Sequence, residues 1–515
     1  MNQFKTLIMV GASVLALSGC GPEDISSPGT GGNVTINNGA GGTGGAGGTG
    51  GTGSGTVTPA SGCPTIADPQ GLKDDGTITG PTGTWRVCTL PARINTSITL
   101  TKLPGLLYQL PGRVDVGRDG GFTKTAADTN VTLNIEPGVI IFGGTGVSWL
   151  AVNRGNKINA VGTAARPIIF TSRDNVLGLN NETSQGQWGG VVLMGRGKVT
   201  DCTSGSAAAG TCERQTEGAA DPALYGGADD ADSSGRMSYV QIRYSGYVLG
   251  ADKELQALTT EAIGSGTVLD HILSYNSSDD GAEFFGGVVN MKYYMAVGAD
   301  DDSLDSDTGM RGNFQYGLLL QRPGAGDALM EIDSNGFEAD TPRQTLKISN
   351  FTAVQPQVSS NNEANDQGSI LIRGNSDVTL ANSVIVTPNN ECIRLNGSGA
   401  TPTTLTARST VLTCNATKFL GTGSITAAQA ASQFGSGANN NRDDFVSTLT
   451  ALFTNGANEN GVAAFAVSGL GSFFSATTNI GAVKDSADNW WSGWGCSSSL
   501  AALGASSACT SLPTN

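Results

Sequence analysis

A single histidine, His271, serves the whole 515-residue chain, aromatics make up 6% of it, and charged residues only 14%. One imidazole and no CxxC spacing leave little from which to build a zinc site. The 29 lysines and arginines fall short of the 44 acidic residues, giving a net charge of −15 with no basic stripe, so nucleic acid is excluded as a partner. No G-K-[S/T] follows any glycine-rich stretch, which removes a phosphate loop. Nothing resembles a kinase, nucleotide or flavin site. Apolar residues at helical spacing are nearly absent before "SITAAQAASQF" (424–434) and "RDDFVSTLTALFTNG" (442–456).

The N-terminus reads as a targeting segment. Lys5 supplies a positive charge, "TLIMVGASVLAL" is apolar but short for a membrane span, and the run ends in "LSGC" (17–20). Leu-Ser-Gly-Cys resembles the bacterial lipoprotein signal. That resemblance implies cleavage after residue 19, acylation (palmitate among the chains) on Cys20, and, with Gly rather than Asp at 21, an outer-membrane address. Ordinary secretion is the alternative. Residues 20–57 form a tether, since "GTGGNVTINNGAGGTGGAGGTGGTGSGTV" (29–57) has too little apolar surface to pack. The other eight cysteines fall into four local pairs, Cys63–Cys88, Cys202–Cys212, Cys392–Cys414 and Cys496–Cys509, and an even count in an exported chain reads as disulfides.

From residue 58 the texture is short runs rich in Val and Ile, closed by Gly, Asn, Asp or Ser: "VIIFGG", "PIIFTS", "GGVVLMG", "GSILIRG". These are strands of four to seven residues. Similar segments return at intervals in the twenties, the period of one solenoid coil. "YNSSDDGAEFFGG" (275–287) and "VGADDDSLDSDTG" (297–309) align at an offset of 22, and "YVQIRYSG" (239–246) aligns with "HILSYNSS" (271–278). The expected fold is all-β, a right-handed parallel β-helix over 131–425. An N-terminal cap at 58–130 and a helical, Trp-rich cap at 426–515 would cover its open sheet edges. A sandwich or propeller is the alternative. Trp490, Trp491 and Trp494 are expected as core in that second cap, rather than as a sugar-stacking platform.

The blocks "LNIEPGVIIFGG…PIIFTS", "SSDDGAEFFGG", "ADDDSLDSDTG" and "IGAVKDSADNWWSGWGC" (480–496) resemble, in this order, a family of bacterial surface lipoproteins with a right-handed parallel β-helix. The resemblance spans roughly 130 to 500. It implies fold and surface location, and no particular activity.

Coil stacking gives the carboxylates their interest. Equivalent positions on adjacent coils sit about 4.8 Å apart, so the offset of 22 sets Asp279 beside Asp301, Asp280 beside Asp302 and Glu283 beside Asp305, with Asp307 beyond. If Ala282 and Phe284 point inward, then 279, 281 and 283 point outward. Two unit charges at that spacing repel by roughly 3 kcal/mol at an effective dielectric of about 20. A calcium ion held by Asp279, Asp280, Glu283, Asp301, Asp302, Asp305 and Asp307 would relieve this, as would protonation or splaying into solvated turns.

Two functions follow. The first is a non-catalytic surface module, calcium-stabilised, whose partners are the membrane through the lipid anchor, a glycan or envelope polymer, or an outer-membrane protein. The second is a polysaccharide-degrading enzyme using Asp279, Asp280, Asp301 and Asp302, with Arg243, Arg311, Arg322 or Arg373 as the base for elimination. The Gly-His-Gly, Arg-Ile-Lys and Asn-Thr-Asp segments of β-helical hydrolases are missing. His271 follows Asp270 along a strand, where neighbours face opposite ways, and reads as a packing histidine. Arg243, Arg373 and Arg394 each follow an Ile and are expected to form salt links to the acidic rows.

Overall fold

The computed structural model describes residues 56–515 apart from 220, 251–252, 335–339, 360–367, 375, 398–400, 505–506 and 515. The expected signal peptide, Cys20 and most of the tether lie outside the described residues.

Nearly every strand pairs in parallel with its counterpart one coil away, and each coil contributes three short faces. One strand per coil forms the third face, an eleven-stranded parallel sheet running from Arg93–Ile94 to Phe419–Gly423. The first and second faces merge into a seventeen-stranded sheet, because in the middle coils one long strand bends to serve both. The long strand Gly235–Arg243 shows this: its first half pairs with Lys157–Val161 and its second with Ile168–Ser172. The fold is a parallel β-helix. Parallel pairing begins at Gly83–Thr89, well before residue 131, so the coils extend through most of the segment expected as a cap. Lys73–Gly80, antiparallel to Gly83–Thr89, covers the first coil together with the segment before it, where Ala60, Cys63, Ile66 and Leu72 pack against the core.

Inside, like residues stack in rows. On the third face Val114, Leu150, Val191, Leu258 and Ala282 follow one another through five coils. Phe284 lies inward over Ser306, and its ring meets Phe314 at 5.2 Å, filling space the serine leaves. The alignments at offsets of 22 and 32 are the true registers: Glu283 pairs with Asp305, and Val240 with Ile272.

At the bend between first and second faces the backbone turns through one left-handed residue per coil. Tyr239, His271, Tyr293, Tyr316, Asn350, Asn382 and Ser409 form this corner ladder, with φ between 48° and 64°. Asn tolerates that conformation better than a bulky residue does. The aromatic rungs stack: Tyr239 on His271 at 4.1 Å, His271 on Tyr293 at 4.4 Å, Tyr293 on Tyr316 at 5.0 Å. His271 is therefore a packed residue. The corner also turns its ring toward Asp270, whose carboxylate lies 2.8 Å from Nδ1, so these neighbours do not face opposite ways.

The helix Ala427–Phe434 closes the C-terminal end. Thr426 and Gln429 form its capping box, Gly435 ends it in the left-handed region, and Ala430 and Phe434 are buried. Residues 442–456 are not helical, contrary to their periodicity. Their backbone is drawn instead to the second face, where Phe445 N–H donates to Leu412 O at 3.2 Å and Leu412 N–H to Arg442 O at 2.8 Å. From there to Leu512 the chain runs as a strap back along the outside of the second face, and not across its end. It meets Asn350 through Asn479 O (2.9 Å), Gln315 through Ser475 O (2.7 Å), and Arg243 through Cys509 O (3.0 Å). Under the strap lies an outer apolar cluster that includes Leu273, Met295, Leu318 and the buried Trp494. All four expected disulfides are formed, and Cys496–Cys509 staples the strap.

Arg243, fully buried beneath the strap, donates to Gln241 Oε1 at 2.7 Å and to Ser511 O at 2.9 Å. Arg243→Ala would strand buried carbonyls and lower stability by about 3 kcal/mol. Limited proteolysis should then cut first between 497 and 512; cleavage no faster than in the parent would count against this role for the strap.

Candidate metal centre on the third face

The third face carries the carboxylates because its outward positions, unlike those of the second face, are polar in the middle coils. One outward row runs Thr259, Glu283, Asp305, Glu331, Leu371, Arg394. The next runs Glu261, Phe285, Asp307. Asp279, Asp280, Asp301 and Asp302 lie in the turns that lead into this face. Ala282 and Phe284 point inward and Glu283 outward, as their alternation requires.

These acids are not solvated. Asp279, Asp280, Glu283 and Asp302 are each no more than 7% exposed. The reading of splayed, hydrated turns fails because two excursions border the face. The first, between Met194 and Gly235, is stapled by Cys202–Cys212 and packs Val199, Cys212 and Tyr225 onto Trp149, Val192, Met194 and Phe285. The second is the hairpin of Val248–Gly250 with Lys253–Glu254, just before the strand Leu258–Glu261.

The turn acids also hold backbone. Asp280 accepts from Asp302 N–H at 2.9 Å, and Asp302 accepts from Ala328 N–H at 2.7 Å, tying three successive coils. Gln256 donates to Asp279 at 2.9 Å. Carboxylate oxygens converge in three sets, each mutually within 4.8 Å: Asp279, Asp280 and Asp301; Asp280, Glu283 and Asp305; Asp301, Asp302 and Asp327. Asp307 joins none of these. It faces Asp333 and Glu331, and one of its oxygens is buried without a hydrogen bond.

Burial is the largest cause of the raised proton affinity throughout. It pushes Asp279 well above the ordinary carboxylate range, helped by Asp301 and Glu254. Asp280 rises through burial and then Asp279, Glu283 through burial and then Asp305, Asp302 through burial and then Glu331. Asp305 and Asp307 rise likewise, with Arg214 and Arg373 pulling Asp307 back. Fully buried Glu261, bonded to the Thr216 hydroxyl at 2.6 Å, is pushed up to about 8. Oxygen-only, multi-carboxylate surroundings such as these three sets fit a hard cation such as calcium better than a thiophilic or imidazole-seeking metal.

The arginines divide. Arg373 bridges Glu331 and Asp333, as a salt link to the acidic rows requires. Arg243 does not, being held under the strap on the second face. Arg394 stands in the outward row beside Leu371. Arg311 pairs with Asp230 at 2.6 Å and Arg322 with Asp300 at 3.4 Å. Glu254, Glu261, Asp327, Glu331 and Asp333 belong to the cluster and escaped sequence reasoning. "MEID" (330–333) repeats the alternation of "LDSD" (304–307), a signal displaced by an offset of 26.

Residues 122–494 match the family model described as a pectate-lyase-like beta helix domain. The chain belongs to this family. No curated protein and no solved structure shows a significant match. Membership in the pectate-lyase-like β-helix family agrees with the coil geometry and is consistent with a polysaccharide-related function.

Raised acid pKa values mean that the folded chain retains protons the unfolded chain has released, so stability falls as pH rises. For Glu261 that contribution is whole below 4.5 and is lost as pH climbs through about 8. Metal-free protein should therefore melt lower at the alkaline end of this window than at the acid end. A flat or rising Tm across it, measured by circular dichroism in EDTA, would contradict the burial of these carboxyls.

Proposed function

We propose that the protein is a lipid-anchored module of the bacterial outer membrane that holds calcium in the third-face carboxylates and through it binds a glycan or envelope polymer. The observation that carries this reading is the convergence of Asp279, Asp280 and Asp301, and of Asp280, Glu283 and Asp305, within 4.8 Å in a largely buried setting. A divalent cation would cancel the repulsion that burial magnifies, and its remaining coordination positions suit hydroxyl or carboxylate oxygens of a sugar. Asp279, Asp280, Asp301, Glu283 and Asp305 would hold it. Asp302 would act from behind, through its bond to Ala328 N–H.

A binding role rather than turnover is supported by the fate of the candidate bases. Arg243 is sealed under the strap, and Arg311 and Arg322 are committed to Asp230 and Asp300. One observation favours the enzymatic alternative: Arg373 sits at the acidic row with its side chain 27% exposed, where a basic group would serve elimination. Anchoring rests on "LSGC" and on the blocks that resemble surface lipoproteins.

Calcium should raise the Tm of a 56–515 fragment above its value in EDTA by several degrees, and Asp301→Asn together with Glu283→Gln should abolish the rise. No calcium-dependent shift would sink the reading. With polygalacturonate as probe, wild-type protein should retain the polymer only with calcium and release no reducing sugar; sugar release lost in Asp280→Asn would decide for the enzyme. In cells fed labelled palmitate, the full chain should incorporate label and Cys20→Ala should not.

A further inference from the structure

The corner ladder opens into a recess distinct from the acidic rows. Tyr293, Tyr316, Thr477, Asn479, Asp488 and Trp490 line an open depression of about 350 Å³ where strap and ladder meet. It stands at the junction of first and second faces, while the carboxylates stand on the third.

The ladder gives the recess its shape. Tyr239 and His271 are covered edge-on by Trp494, at 6.0 and 5.6 Å, and Trp490 meets Tyr293 at a tilt, 5.2 Å away. Tyr316 is the last aromatic rung. Tyr293 lies parallel to it, 8° between the ring planes, and among the described residues no other ring stacks on it. The next rung is Asn350, whose amide is drawn away to the strap carbonyls of Asn479 and Gly481. Among the described residues the stack of rings therefore ends at the recess, which Tyr316 lines.

Tyr316 holds that place at a cost. Its φ is 64°, a conformation that Asn350 and Asn382 adopt more easily on the following coils. A bulky residue in the left-handed region points to a use for its ring. The polar rim supplies the rest. Asp488 accepts from Lys484 N–H at 2.9 Å through one oxygen, and among the described residues its other oxygen carries no hydrogen bond. Thr477 and Asn479 fix the rim by bonding to each other and to the strap: the Thr477 hydroxyl donates to Asn479 Oδ1 at 2.9 Å and the Asn479 amide to Ile480 O at 3.0 Å, so Thr477 is offered to a ligand as an acceptor. Burial, with the neighbouring Tyr293 phenol and the Asp488 carboxylate, pushes the Tyr316 phenol up to about 12.

An aromatic platform rimmed by a few convergent polar groups, in a cavity of this size, suits a small amphipathic ring. We propose that the recess binds one neutral pyranose unit of a polysaccharide, its apolar C–H face on Tyr316 and its hydroxyls toward Asp488 and Thr477. A uronate would set its own charge against Asp488, which decides for a neutral sugar. The site goes beyond the calcium-dependent one and needs no metal.

The test is calorimetric titration of the 56–515 protein in EDTA with cellohexaose, xylohexaose and mannohexaose, alongside intrinsic tryptophan fluorescence compared between wild type and Trp490→Phe. EDTA silences the third face, so failure here and failure there are separable. At least one sugar should bind saturably with a change in fluorescence. Tyr316→Asn, which the ladder accommodates at its next rung, should weaken binding about tenfold with Tm retained. Tyr316→Phe should keep most of the affinity. No binding by any of the three sugars, wild-type affinity in Tyr316→Asn, or equal loss in Tyr316→Phe and Tyr316→Asn would overturn the proposal.

Discussion

The coils of this protein depend on the parallel hydrogen-bond ladder between them. A parallel register brings the same position of each coil to within about 4.8 Å of its counterpart, so side chains cannot be placed one at a time. They come in rows, and whatever a row carries is multiplied. Aliphatic rows multiply into a continuous interior. Left-handed corner residues multiply into a ladder of stacked rings and amides. Acidic residues multiply into a repulsion that surface solvation would soften and burial does not.

The third face shows the last case. Glu283 over Asp305 over Glu331 is a stack of carboxylates, to which Arg373 supplies compensation at Glu331. Part of the cost is offset by backbone bonds such as Asp280 to Asp302 N–H, which use carboxylates as links between coils. The rest is an electrostatic deficit that a bound cation or a shared proton must meet. The same carboxylates thus hold the coils together and create the demand for a ligand.

The second face answers a different demand. Its outward row runs Ile140, Ile169, Gln241, Leu273, Met295 and Leu318; the first two are buried against Ile78, Trp85 and Val176, and the last three because the strap returns along the solenoid to cover them. A sheet buried on both faces reads as continuous hydrophobic runs, such as "GLLL" at 317–320, in place of alternation. The strap also creates the aromatic recess, since its tryptophans cover the first three rungs of the ladder while at the fourth, Tyr316, its residues Thr477, Asn479 and Asp488 form an open rim.

How much of this was legible in the sequence depends on the range of the interaction. Strand type, coil period, the registers at offsets of 22 and 32, the inward pointing of Ala282 and Phe284, and the disulfides between neighbouring cysteines were all readable, because each depends on local alternation or on adjacent coils. Glu331 and Asp333 were harder to see, their coil being displaced by four residues from the preceding period. The burial of the acids was not readable at all. It depends on Cys212, Tyr225 and the hairpin ending at Glu254, brought onto the third face from outside the repeat. Nor could periodicity show that 442–456 would give up helix for an extended path, since the carbonyls that draw it belong to strands thirty residues earlier. The sequence by itself determined the coil, because coils are made of local strands in repeating register. Only the tertiary structure decided which faces stay open and which charges lose water, because excursions from the coil are under no constraint from its period.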